Sequence, residues 1–221
     1  MRLLRRRGAD SSPAASAYKA AKQPSHATPW REARYAVVDL ETTGLDPRAD
    51  EIISFASVPI EDGRVMIGGV RTVVIRPMRM PDAGTIRIHG FRPADLADAP
   101  GIQQVLDTIL EALTGRVLVA HAAWVERGFL AEAIKPTGLR LAKPVLDTSV
   151  LARHVMSAER PDARVMLPLS DAARSFGLPV HRPHFAEGDA LTTAQLFLAL
   201  TAHLDRSEPQ TVGSLARLSR G

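Results

Sequence analysis

The sequence predicts an α/β fold: a mixed five-stranded sheet, an antiparallel meander plus parallel strands, flanked by helices. Three observations carry this. β-rich runs joined by short turn signals come first along the chain, the pattern of an antiparallel meander. Short apolar strands then alternate with stretches of helical periodicity, the pattern of strand–helix units. The length of 221 residues, 45% hydrophobic and 24% charged, suits one globular domain with ragged ends. A chain of this size can bury roughly 70% of its unfolded surface, so its core needs no metal or disulfide staple.

Each element has its own signal. Residues 1–29 are rich in Ala, Ser, Pro and Arg without apolar periodicity, and read as a disordered basic arm. The run 35–40 is apolar and β-branched, and ends at the turn signal Thr43-Gly44-Leu45-Asp46-Pro47. Residues 52–60 read as a second strand, Asp62-Gly63 as a hairpin turn, and 65–75 as a third strand stopped by Pro77. A loop containing Pro81, Gly84 and Gly90 comes next. Ile102, Val105, Leu106, Ile109, Leu110 and Leu113 keep helical spacing up to Gly115. Residues 117–120 form a short buried strand, and 123–134 a helix stopped by Pro136. Residues 145–146 are a strand fragment, with Asp147 or Thr148 as a helix cap. Helices are expected over 167–176 and 189–204, and 206–221 as a flexible polar tail. The folded domain would then occupy 30–205.

Composition excludes several classes of function. Cysteine is absent, which removes a disulfide framework, a thiolate metal site and a cysteine nucleophile, and fits a reducing cytoplasm. No apolar run approaches the ~18 residues of a bilayer span, so no membrane role is expected. Aromatics are 5%, too few for a broad base-stacking platform. The net charge is +4, but residues 1–29 hold six basic residues against Asp10, which leaves −1 for the remainder. The pI near 9.9 is therefore largely a property of the arm. The folded part is no basic clamp, and would meet a polyanion through metal ions and a local patch. Arg5-Arg6-Arg7 is either a phosphate contact or a solubilising tail; the arm's Arg- and Ser-rich composition also describes a transit peptide.

Three places carry chemistry. Asp39 and Glu41 stand at i and i+2, so two carboxylates project from one face at the end of an apolar strand. Buried like charges so placed need a cation or a shared proton, and oxygen ligands suit magnesium or manganese; the alternative is a solvated strand end, since Asp-x-Glu alone is common. Asp189 opens the long last helix as cap or ligand, and His184 lies in the loop before it as an ordinary loop histidine or a base titrating near neutrality. His121 ends a strand, and Glu126 sits about a turn into the next helix beside Trp124 and Arg127, as a functional acid or, as is usual for an exposed helical glutamate, simply solvated.

Taken together, these stretches resemble the DEDDh 3′–5′ exonuclease family, which includes DNA polymerase III epsilon subunits and RNase T. The first family motif appears as Val38-Asp39-Leu40-Glu41-Thr42-Thr43-Gly44-Leu45-Asp46-Pro47, with Asp50-Glu51-Ile52-Ile53 after it. Ile86-Arg87-Ile88-His89-Gly90-Phe91 is similar to the middle loop, and Val119-Ala120-His121-Ala122-Ala123-Trp124-Val125-Glu126 to the second motif. Leu146-Asp147-Thr148 matches a recurring element, and His184-Phe185-Ala186-Glu187-Gly188-Asp189-Ala190 the third motif. The resemblance covers about residues 34–203, which makes the domain over 30–205 an exonuclease domain. It departs from the family at Ala122 (usually Asn), Glu126 (usually Asp) and Ser54 (usually Glu).

The resemblance implies an RNase H-like fold and two divalent cations, Mg2+ or Mn2+. Asp39 would bridge both, Glu41 and Asp189 would hold the first, and Glu126 the second. His184 would take a proton from the attacking water. Thr42, Thr43, Leu45 and His89 would hold the terminal nucleotide. The implied activity is 3′–5′ hydrolysis at single-stranded DNA or RNA ends, alone or beside a polymerase or repair complex. The alternative, favoured by Ala122 and Glu126, is a catalytically weakened or inactive module on the same fold that binds nucleic acid or a protein partner. Glu126 adds one methylene to the usual Asp, roughly 1.5 Å of reach, and misplacements of ~1 Å can cost about a hundredfold in rate.

Overall fold

The structure, a computed structural model, describes residues 12–159 and 166–220. Helix α1 (Pro13–Ala20) precedes strands β1 (Tyr35–Thr42), β2 (Ile52–Glu61), β3 (Arg64–Val65) and β4 (Arg71–Val74). Helices α2 (Ala83–His89), α3 (Pro93–Leu96) and α4 (Ile102–Leu113) come next, then β5 (Val117–Ala120), α5 (Trp124–Ile134) and β6 (Val145–Asp147). Helices α6 (Thr148–Glu159), α7 (Leu169–Ser175), α8 (Ala186–Ser207) and α9 (Val212–Leu218) follow among the described residues. The sheet runs β3-β2-β1-β5-β6, with β4 also on β2. β1 pairs antiparallel with β2 and parallel with β5, and β5 pairs parallel with β6.

The sheet is mixed, as expected, but among the described residues it has six strands. The single strand expected over 65–75 is broken by a 3-10 turn at Ile67–Gly69. Adjacent glycines weaken a strand interior. Opposite them, Pro59 of β2 has no N–H to donate and only accepts, from Met66 N at 2.9 Å. The ladder therefore resumes only at β4, where Ser54 faces Val74.

Alternation along β1 divides the core into two layers. Ala36, Val38 and Leu40 face a cluster that takes in Val105, Ile109 and Leu110 of α4 and Phe129 and Leu130 of α5. Tyr35 and Val37 face the opposite cluster, filled by α6, α7, α8 and α9. Asp39 and Glu41 continue that second row, toward α8.

Both ends of the chain differ from expectation. The stretch read as a disordered arm is a helix from Pro13 onward. Ser12 Oγ accepts the Ala15 N–H, and proline fits the first turn. Ala14, Ala15 and Tyr18 are buried with the α4 and α5 side chains. The Tyr18 hydroxyl accepts from Ala142 N at 2.8 Å and donates to Arg140 O. Small alanines supply too weak a periodic signal to announce such a helix. Residues 1–11, with Arg5-Arg6-Arg7, lie outside the described residues. The tail read as flexible carries α9, capped by Thr211, with Val212 and Leu215 fully buried. Backbone bonds from Trp30 N to Gln210 O and from Val212 N to Thr28 O tie the two ends together. Helix α2, expected as loop, starts at the Asp82 cap and stops at Gly90, whose φ is +75°. No helix among the described residues is long and apolar enough to cross a membrane.

Candidate active site

The site forms where the C-terminal ends of β1, β5 and β6 meet the first turns of α5 and α8. β1 brings Asp39 and Glu41 onto one face because they are two residues apart. Their β2 partners on that face are small, Ala56 and Ser54. Asp189 arrives from the first turn of α8. One oxygen from each of Asp39, Glu41 and Asp189 lies within 4.8 Å of the others. Gly188 permits this approach: a Cβ there would collide with the carbonyl oxygen of His181. The loop carrying His184 therefore rests directly on the helix start, and His184 N donates to Asp189 Oδ2 at 2.8 Å.

Glu126, expected as the fourth acid, is 4% exposed and turned inward from α5. Its Oε2 is buried without a hydrogen-bond partner. Glu132, the next acid along α5, is instead bound to Lys135 on the outer surface. Burial first, then the charges of Glu126, Glu41 and Asp189, hold the Asp39 carboxyl well above the usual carboxylate range. Burial, then Asp189, pushes Glu41 to about 7. Burial outweighs a backbone hydrogen bond at Glu126, which reaches about 8 with help from the charges of Asp147 and Glu41. Burial also raises Asp189, against the opposing His184 N–H and the His184 charge. Four acids are thus assembled at an energetic cost that a cation removes. The donors are all carboxylate oxygens, and one is an unsatisfied buried oxygen. That set fits a hard divalent ion such as Mg2+ or Mn2+.

Asp147, expected as a candidate helix cap, accepts the Ser149 N–H at the start of α6 and has a further role at the site. Its carboxylate accepts from Ala122 N and Ala123 N, at 3.2 and 2.9 Å, and from Ser149 N and Oγ. It thereby holds the start of α5 and the backbone that aims Glu126. Ala122 stands at φ +60°, where Asn or Gly is the usual occupant. The Asn of the family motif thus has a conformational rationale that Ala122 lacks. His121 is structural. Its Nε2–H donates to the Leu167 carbonyl, and Nδ1 lies 3.0 Å from Thr148 Oγ1, whose own proton goes to the Ala120 carbonyl. Burial lowers its pKa, in keeping with the neutral form.

The remaining expected residues divide. The Thr42 hydroxyl donates to Gly44 O, and Thr43 Oγ1 bonds Glu51 N and Asp50 Oδ1, so both are engaged in the turn after β1. Leu45 projects from that turn, 67% exposed. His89 is buried at the end of α2, and its Nδ1 accepts from Phe91 N. Its Nε2 therefore carries the proton, and it is buried without a partner. His184 is exposed beside the acids, at φ +63°.

The sequence model of the exonuclease family (RNase_T) matches residues 36–197. The DNA polymerase III subunit epsilon-like protein of Rhodobacter capsulatus is 33% identical over 189 residues, 85% of this chain and 26% of that protein. The PolC-type DNA polymerase III of Thermotoga petrophila is 33% identical over 79% of this chain and 12% of its own length. The 3′-5′ exonuclease DinG of Bacillus subtilis is 28% identical over 85% of this chain and 20% of its own. The chain thus spans about a quarter or less of the length of these relatives. Among solved structures, Exonuclease X in complex with 5′ overhanging duplex DNA superposes with a TM-score of 0.64 at 23% identity, covering 85% of this chain and 99% of that one. Cell-death related nuclease 4 does so at 0.67 and 14%, over 80% of this chain and 65% of that one. At such identities the likeness is one of fold, the RNase H-like fold.

Proposed function

This chain belongs to the exonuclease family, and from that premise we propose that it is a DEDDh-type, metal-dependent 3′–5′ exonuclease. Its substrate is the 3′ end of single-stranded DNA or RNA, and its products are nucleoside monophosphates. The observation that carries this reading is the convergence of Asp39, Glu41 and Asp189, with buried Glu126 acting electrostatically on Asp39. In this reading Asp39, Glu41 and Asp189 would hold one divalent cation, and Asp39 with Glu126 would hold a second. Bound there, Mg2+ or Mn2+ would supply a hydroxide nucleophile near neutral pH and charge to stabilise the leaving oxygen.

The protein's own groups do the rest. The carboxylates would repel a phosphodiester unless neutralised, which makes activity conditional on the cation. The exposed His184 imidazole takes the proton of the attacking water as general base, anchored by its backbone N–H on Asp189. Leu45 offers an apolar contact to the terminal base. The unpartnered Nε2–H of His89 donates to the terminal nucleotide. Thr42 and Thr43 act by holding the turn that presents Leu45. A cysteine-free chain suits the cytoplasm, where it works alone or with a polymerase or repair complex.

The test is digestion of 5′-labelled DNA and RNA single strands with Mg2+, Mn2+ or EDTA. The expected result is a ladder shortening from the 3′ end with either metal and none with EDTA, lost in Asp39→Asn and Asp189→Asn. Binding without nucleotide release under either metal would instead establish the non-catalytic module.

A further inference from the structure

Helix α5 turns Glu126 inward, and on its outer side it carries two residues that the proposed hydrolysis does not use. Trp124 is 51% exposed, and Arg127, three residues on, shares its face. Arg127 also borders a depression of about 470 Å³, lined in addition by Arg48, Gly128, Leu141 and Lys143. Arg48, Arg127 and Lys143 are all exposed, and among the described residues none of their side chains has a hydrogen bond or ion pair. The two acids bordering the same depression are engaged: Asp46 Oδ1 accepts the Arg48 N–H, and Glu132 is bound to Lys135.

The juxtaposition is built into the packing. The ring of Pro47 occupies the space of a Gly128 side chain, with Cγ 2.6 Å from an ideal Cβ position. Glycine lets the turn after β1 lie flat on α5, which brings Arg48 into the depression with Arg127. Lys143 joins from the segment before β6. It precedes Asp147 by four residues, at most about 13 Å of chain. Outside residues 1–29 the chain carries a net −1. Three unpaired cations in one depression, next to an exposed indole, are therefore a local departure from the charge of the rest.

We propose that Trp124, Arg127, Arg48 and Lys143 form a track for the substrate strand itself, binding the nucleotides that precede the scissile end. This rests on the nuclease reading. The phosphodiester backbone is the ligand chemistry that three separated point charges fit, and a base has a π-face for the indole. Continuity sets the strand: Asp46, Pro47 and Arg48, which line the depression, directly follow Leu45, the proposed contact to the terminal base, so the strand whose end lies at the acids is the one that reaches the depression.

The experiment measures binding of a dinucleotide, a long single strand and a blunt duplex, with binding in an Asp189→Asn background and turnover in the active protein. The triple Arg48→Ala, Arg127→Ala, Lys143→Ala variant should lower the log–log salt slope for the long strand by about 2. It should also raise KM for that strand about tenfold, with kcat held within about twofold. Trp124→Ala should weaken long-strand binding about tenfold, and Trp124→Phe should recover most of it. Binding should quench Trp124 emission, with buried Trp30 as the internal reference. Arg64→Ala with Arg206→Ala, exposed cations elsewhere, should leave the slope unchanged. An unaltered slope in the triple variant overturns the proposal, as does a loss confined to the duplex, which would assign the depression to a second strand. If the unsubstituted protein releases no nucleotide but the slope still falls as stated, the catalytic reading fails and the track stands.

Discussion

Replacing Glu126 by glutamine should make the metal-free protein more stable at alkaline pH. Glu126 is enclosed near Asp147 and Glu41, and its pKa rises from 4.5 to about 8. The folded-state value is the higher one, so the folded protein holds this proton over a range where the unfolded chain has released it. Below about pH 4.5 both states are protonated and the residue is neutral toward folding. Above that, stability falls with rising pH by about 1.4 kcal/mol per unit, until the folded-state pKa is reached. The full span would amount to about 5 kcal/mol. Because Asp39 shares the same field, about half of this, 2–3 kcal/mol, is the working figure for Glu126 alone. Glutamine does not ionise and escapes the loss. For a chain of this size, that corresponds to a Tm about 5–10 °C higher near pH 8 in EDTA. Near pH 4.5 the two proteins should melt together. Saturating Mn2+ should reverse the order, because only the carboxylate gains from the cation. Thermal melts at the two pH values, with EDTA and with Mn2+, provide the assay. If the glutamine variant is no more stable than its parent near pH 8 in EDTA, the carboxyl is not held in an unfavourable field and the reasoning fails.

Three further outcomes are expected. Glu126→Asp should raise activity with Mg2+ and narrow a preference for Mn2+, since Mg2+ tolerates imperfect ligand placement less well; steady-state rates with each ion check this. Ala122→Asn should raise stability by about 1 kcal/mol by relieving the left-handed strain at φ +60°, seen as a Tm increase of roughly 2–4 °C. Tyr18→Ala should cost about 3 kcal/mol, and Tyr18→Phe about 1–2 kcal/mol for the hydroxyl that bridges Arg140 and Ala142, both read by urea denaturation.

The parts of this protein legible in its sequence are those set by local spacing. Two residues of separation put Asp39 and Glu41 on one face of β1. The run of apolar residues before them marked the strand, and helical spacing from Ile102 to Leu113 marked α4 with its observed bounds. The order of the motifs carried the family and, with it, the RNase H-like fold. What depends on a partner element was not legible. Ala14, Ala15 and Tyr18 form a buried face only because α4 and the loop at 140–142 lie beneath them. The break between β3 and β4 is decided by Pro59, which belongs to a different strand. Spacing alone leaves Glu126 an ordinary helical glutamate that only the family motif singles out, and its enclosure appears once α5 is docked; Asp147 reads as a helix cap until its carboxylate meets the N–H groups of Ala122 and Ala123. Periodicity reports how a segment divides its own faces. Burial, repulsion between carboxylates and the enclosure of an unsatisfied oxygen are sums over neighbours far apart in the chain, and those neighbours are chosen only when the sheet and its two helical layers close on each other.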